Sequence, residues 1–357
     1  MASPLAHSDD GRPKKRQRTD QDAAGAQPTI KKSDVVWLSD GNLIIRTIKV
    51  PQDSPAISHT LYRVHKSVLA IHCGVFAAMF DGDQAAFEAV SERWEGVPLM
   101  ELPDVAEDVE VFLDAMYHPK RLREHLPTHG YGDLYDYRCL KFPAFYTGIL
   151  ALATKYDAQA MREQVITALT MLWPKTCSDW DEAESILGAQ YREPGRFIRL
   201  ATTYHIPHVL PALFYDLARA TEASLSTMDP EERAVYEEDL ALLLPGEMRR
   251  LILGKVALRE VVEAQAAIYK GSDSPCLCAP DRTPGCIRKG RTWWEKRARN
   301  LAGPDWLKAL QLDDNFIGRQ DEKSVCYNRR KSLTGWNWEL REEIWAALPA
   351  IFGIPVW

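Results

Sequence analysis

The sequence predicts an α+β N-terminal domain, a small sheet with a helical cluster, followed by a mostly α-helical C-terminal domain. Three observations predict it. Strand-like runs, Val35-Val36-Trp37-Leu38 and Leu43-Ile44-Ile45, flank the turn-forming Ser39-Asp40-Gly41-Asn42. Apolar residues then recur at helical spacing from Val68 to Phe80. Beyond Asp179 strand signals are nearly absent. A length of 357 residues, 46% of them hydrophobic, suits about two domains with ordinary cores.

Taken in order, residues 1–32 are small, polar and charged without apolar periodicity, and read as a disordered basic tail. Within it Lys14, Lys15, Arg16 and Arg18 form a short cationic cluster, read either as a nuclear-import signal or as a solvated charge run. Residues 33–172 form the first domain. Its opening runs around Ser39–Asn42 are expected to pair as a hairpin, with a third strand through Thr60–Val64. Leu99–Leu102 reads as a further strand, and Pro103-Asp104 opens a helix carrying Val109, Val111, Phe112, Ala115 and Met116. Residues 119–142, rich in proline, glycine and tyrosine, read as a long surface insertion. Helices resume at Ala144 and run to Leu172, before Pro174. Residues 173–357 form the helical second domain, with segments expected at 180–190, 195–204, 207–225, 230–244, 246–270, 291–310 and 337–348.

Several blocks in the first domain carry a resemblance. They are Ser33-Asp34-Val35-Val36-Trp37-Leu38, Tyr62-Arg63-Val64-His65-Lys66-Ser67-Val68-Leu69-Ala70, and Val75-Phe76-Ala77-Ala78-Met79-Phe80. Val97-Pro98-Leu99-Met100-Glu101-Leu102-Pro103-Asp104-Val105, Phe112-Leu113-Asp114-Ala115-Met116-Tyr117 and Leu150-Ala151-Leu152-Ala153-Thr154-Lys155-Tyr156-Asp157 follow in order. Together they resemble a BTB/POZ domain of the divergent fungal type. The resemblance implies a protein-interaction module that self-associates and recruits a cullin-based ubiquitin ligase or a corepressor. It also implies architectural roles for Asp34, near the strand start, and His65, beside the first core helix, with Val75, Phe76, Met79 and Phe80 mainly in the core. The segment before Asp34 lacks the amphipathic helix that longer members exchange, so self-association is expected to be weak. The partner face is expected on the helix after Pro103 and on the helices from Phe145 to Tyr156.

A catalytic reading finds little to hold. No phosphate-cradling glycine loop, His-Glu-x-x-His or Gly-x-Ser-x-Gly occurs. The acidic runs Glu231-Glu232 and Glu237-Glu238-Asp239 read as a solvated helix face. No enzyme and no organic cofactor are therefore expected. Zinc is the single cofactor candidate, through Cys276, Cys278 and Cys286, against the alternative of free thiols in a loop. Seven cysteines, an odd number unevenly spread, fit a reducing compartment. No apolar run approaches the roughly 20 residues that span a bilayer, and no secretory h-region is visible. The net charge of -6 argues against whole-surface attraction to nucleic acid. A local patch remains: Arg288, Lys289, Arg291, Trp293, Trp294, Lys296, Arg297, Arg299 and Trp306 could meet phosphates and bases, or the tryptophans could be core. The leading expectation is a non-catalytic adaptor or regulator, in the nucleus, with the cytoplasm as the second compartment. The rival is a nuclear DNA-associated regulator using the 288–331 region.

Overall fold

The computed structural model describes residues 29–49, 58–82, 92–125, 142–187, 193–220, 222–271, 286–289, 292, 305–311 and 327–355. Within them the chain is mixed α/β, with one small five-stranded sheet and mostly helix elsewhere. The strands are β1 (Thr29–Trp37), β2 (Leu43–Lys49), β3 (Ser58–Val64), β4 (Arg93–Trp94) and β5 (Val97–Leu102), in the spatial order β1-β3-β2-β5-β4. Strand alternation divides their side chains between two faces. Leu43 and Ile45 enter the main core, while Ile44 joins Leu61 and Leu99 on the other face, under Trp37, Trp94 and Val97.

The expected hairpin is corrected here. The turn at Ser39–Asn42 exists, closed by a 3.0 Å bond from the Gly41 amide to the Leu38 carbonyl, but β1 and β2 do not pair. Instead β1 runs parallel to one edge of β3, and β2 lies antiparallel along the other. The turn therefore steps across the end of β3, which it grips. Arg63 Nε donates to the Gly41 carbonyl, and Asn42 Oδ1 accepts from the Lys66 amide, each at 2.9 Å. The antiparallel partner of β2 is the third expected strand. The pairing of β1 with β3 shifts register between Lys32 and Trp37. Ser33 Oγ accepts from the amides of Val35 and Val36 there, serving donors that the irregular ladder leaves over.

Between β3 and β5 the chain makes α1 (Lys66–His72) and α2 (Gly74–Asp81), separated by one extended residue, Cys73. This excursion lets β5 lie parallel to β2, which a tight turn could not do. Helix α3 (Ala106–Tyr117) buries Val109, Phe112, Leu113 and Met116, as its 3.6-residue spacing requires. The stretch 119–142, expected as an insertion, opens with helix α4 (Pro119–His125). Pro119 suits a first helical position and Leu122 is buried in the core. Residues 126–141 lie outside the described residues. Next come α5 (Phe142–Lys155) and α6 (Gln159–Leu172).

The second half contains α7 (Cys177–Leu187), α8 (Pro194–Thr203), a 3-10 turn (Pro207–Val209), α9 (Leu210–Ala218) and α10 (Glu222–Thr227). It continues with α11 (Pro230–Ala241), α12 (Pro245–Gly271), α13 (Trp306–Leu310) and α14 (Tyr327–Ile351). Of the expected helix 291–310, Thr292 is helical and the last turn is α13, while 291 and 293–304 lie outside the described residues; a further helical turn lies at 286–289. Helix α12 packs on α9 and on α14. Gly254 makes that approach possible, since a Cβ there would stand 2.1 Å from the Phe352 ring. One hydrophobic cluster runs from Val36 to Ile354, so the core is continuous across the boundary expected at 172/173. Trp173 meets Phe197 edge-on at 5.4 Å, and an Arg162 guanidinium nitrogen donates to the Tyr204 carbonyl at 2.8 Å.

Candidate functional site

Three of the sequence blocks meet at one point. The Phe76 ring of α2 stacks on Tyr156 at the end of α5, with centroids 4.7 Å apart. The Tyr156 hydroxyl donates to Asp104, which also pairs with Lys155 at 2.7 Å. The Gly74 and Val75 amides donate to the carbonyls of Asp157 and Tyr156. Burial, then the bond and charge of Asp104, raise the Tyr156 pKa, so the phenol stays a donor. Burial likewise pushes the Cys73 thiol up to about 12, which removes it as a thiolate nucleophile at neutral pH.

Around this buried joint lies an exposed apolar rim. Val75 is 39% exposed, Met79 43% and Ile71 79%. Val75 and Met79 are one turn apart on α2 and share its outer face, while Phe76 and Phe80 are buried. Of the four residues expected mainly in the core, Phe76 and Phe80 are there, and Val75 and Met79 are the exposed members. An eight-residue helix has two faces, and here the inner one packs Phe76 on Tyr156 while the other stays outside. Nearby α3 presents Glu107 and the partly buried Asp108 and Asp114. Asp114 pairs with Arg121 and His118.

Asp34 does not hydrogen-bond the strand start. It is exposed and pairs with Lys31 at 3.0 Å. Ser33 takes the bonding role, accepting from two amides and donating to Glu110 at 2.7 Å. His65 precedes α1; its amide donates to the Tyr117 hydroxyl at 2.8 Å, and its Nε2 lies 3.3 Å from Asp40.

The helical half contains a buried ionic joint. Arg219 pairs with Asp216, Glu184 and Asp305 at 2.7, 2.6 and 3.2 Å, and its guanidinium carbon stands 5.3 Å from the Trp180 ring centre. The Tyr215 hydroxyl donates to Asp305 and accepts from the Leu307 amide, both at 3.0 Å. Arg341 pairs with Asp181 and donates from Nε to the Leu307 carbonyl. A hollow of about 200 Å³ beside it is lined by Trp180, Asp181, Glu184, Asp305 and Lys308. Its three carboxylates are each held by an arginine, so the arrangement ties α7, α9, α13 and α14 together. A larger groove, about 440 Å³, lies between Lys175, His208, Pro211 and Trp345. Burial, then the charge of Lys175, lowers the His208 pKa; its Nε2 lies 2.7 Å from the Thr170 hydroxyl.

Asp239 overturns the reading of the acidic runs as one solvated face. It is fully buried and caps α8, accepting from the Gly195 and Arg196 amides at 2.7 Å each. Gly195 is needed for this approach, because a Cβ there would stand 2.4 Å from the Asp239 carbonyl oxygen. Glu231, Glu232, Glu237 and Glu238 are exposed as expected. Nothing in the sequence marks Asp239, since its partners lie about forty residues away. Glu247 is similar: buried, it accepts from the Leu244 amide and pairs with Arg199 at 3.0 Å.

Lys14, Lys15, Arg16 and Arg18, with Cys276, Cys278, Trp293 and Trp294, lie outside the described residues. Cys286 is buried, and among the described residues no three His, Cys, Asp or Glu side chains cluster as metal ligands would. Trp306 is buried in the core, while Arg288 and Lys289 are exposed. No described helix is long and apolar enough to cross a membrane. No family model, curated protein or solved structure matches the chain.

Proposed function

We propose that the chain is a non-catalytic adaptor or regulator that grips a partner protein through a BTB/POZ-like region at residues 33–172. The observation that carries this reading is the meeting of Phe76, Asp104 and Tyr156, because three blocks on which the resemblance rests converge there in one packed joint. The joint itself is buried and structural. What it supports is the rim outside it, where Ile71, Val75 and Met79 stay uncovered. Apolar side chains clustered at a polar margin mark protein-docking surfaces. The acidic flank of α3 would then select a partner with complementary positive charge. A cullin or a transcriptional corepressor is the partner class the resemblance implies, and Lys14, Lys15, Arg16 and Arg18 would bring the chain into the nucleus to meet it.

The test is affinity purification of the tagged full chain, compared with Val75→Asp/Met79→Asp and read by quantitative mass spectrometry. Both side chains are exposed, so the variant keeps the fold, which circular dichroism checks. Loss of the co-purifying proteins from the variant is expected. Identical partners on both chains would overturn the reading.

A further inference from the structure

The strongest unused surface lies on α12, in the other half of the chain. Its inner edge, Glu247, Leu251, Gly254, Leu258 and Val262, is buried. Its opposite edge carries Gly246, Arg249, Leu253, Val256, Glu260 and Glu263, all exposed. These six follow one another at steps of three, four, three, four and three residues. That spacing makes a seam for a second helix, with apolar residues at its middle. Leu253 is 55% exposed and Val256 54%, and Ile252 beside them is 56% exposed.

Charge identifies the occupant. Arg249 lies on one side of the apolar pair and Glu260 on the other, each too far along the helix to reach its opposite within one chain. We propose that α12 is a self-association surface, on which two copies pair antiparallel about a two-fold axis between Gly254 and Lys255. Residues equally distant from such an axis face each other. Leu253 then opposes Val256 of the second copy, Arg249 opposes its Glu260, and Gly246 leaves room for its Glu263. The symmetry doubles each contact. Parallel pairing would instead set Arg249 against Arg249 and Glu260 against Glu260. Arg259 already pairs with Glu263 within the chain at 3.3 Å, so its stem is held near the seam where Ile252 of the second copy can pack on it. One helix pair buries less than a standard interface, so the dimer is weak and concentration-dependent. Its exposed ion pairs are screened by salt.

Sedimentation equilibrium on the full chain tests this. The mass should rise with concentration from the 40.5 kDa monomer toward twice that value. Leu253→Asp/Val256→Asp should remain monomeric with unchanged circular dichroism, since both positions face solvent. Arg249→Glu should weaken dimerisation by about tenfold or more, because like charges then meet twice. Arg249→Glu/Glu260→Arg should restore it. A monomer at every concentration would overturn the proposal. So would a dimer indifferent to Leu253→Asp/Val256→Asp, or a double swap no better than Arg249→Glu alone.

Discussion

The sheet half and the helical half solve the same packing problem with different chemistry. Before residue 173 the described buried polar residues are Ser33 and Thr47, both hydroxyls. After it they are Asp216, Asp239, Glu247, Asn337 and Arg341. Strands fix one another through backbone ladders, so β1 to β5 need no buried charge to set their register. Helices satisfy their backbones internally and can slide. In the second half the relative placement of α7, α8, α9, α11 and α14 is pinned by carboxylates and arginines instead. The first half can therefore leave its outer face free for a partner, whereas the second spends its buried polar groups on holding its own shape.

That contrast breaks most sharply at its two strongest points. Phe76→Ala should destabilise the fold by about 3–5 kcal/mol, a cavity cost with no electrostatic part, measured by urea unfolding and insensitive to salt. Arg341→Leu should cost about 3 kcal/mol or more, because Asp181 and the Leu307 carbonyl lose their partner. Arg341→Leu/Asp181→Leu should recover most of that loss, since removing both charges is far cheaper than removing one. A double variant no better than Arg341→Leu would mean that packing, not pairing, holds α14 to α7.

Smaller effects sharpen the same comparison. Asn337 is buried with both atoms of its amide unpartnered. Asn337→Leu should raise stability by about 1 kcal/mol, as an unsatisfied buried amide is removed at similar volume. For His208 the folded pKa lies below the ordinary value, so the folded chain binds fewer protons there than the unfolded one. Its contribution is complete above about pH 6.5 and declines as pH falls through that value. His208→Gln should therefore lose less stability than the parent between neutral and mildly acidic pH, seen as a smaller drop in the urea midpoint.

Much of the architecture was legible because it follows from local pattern. The apolar, partly β-branched run at Leu43–Ile45 and the helical spacing from Val68 to Phe80 led directly to β2, α1 and α2. The turn at Ser39–Asn42 was also legible, but not which strand it serves, since β3 offers two edges and short-range signals cannot choose between them. Val75 and Met79 carry the same apolar character as Phe76 and Phe80, so sequence could not assign the outer face of so short a helix. Asp239 sits beside Glu237 and Glu238 in an acidic run, and only the approach of Gly195 from another helix separates it from them. Ser33 was hidden by Asp34, the neighbour on which the resemblance drew attention.

The most direct measurement of the central claim is hydrogen exchange on the full chain, alone and saturated with the partner that it captures. A grip through the uncovered face of the sheet half should slow exchange in α1, α2 and α3, residues 66–81 and 106–117, while α7 to α9 and α14 change little. Slowed exchange confined to residues 173–355, with 66–117 unchanged, would contradict the account.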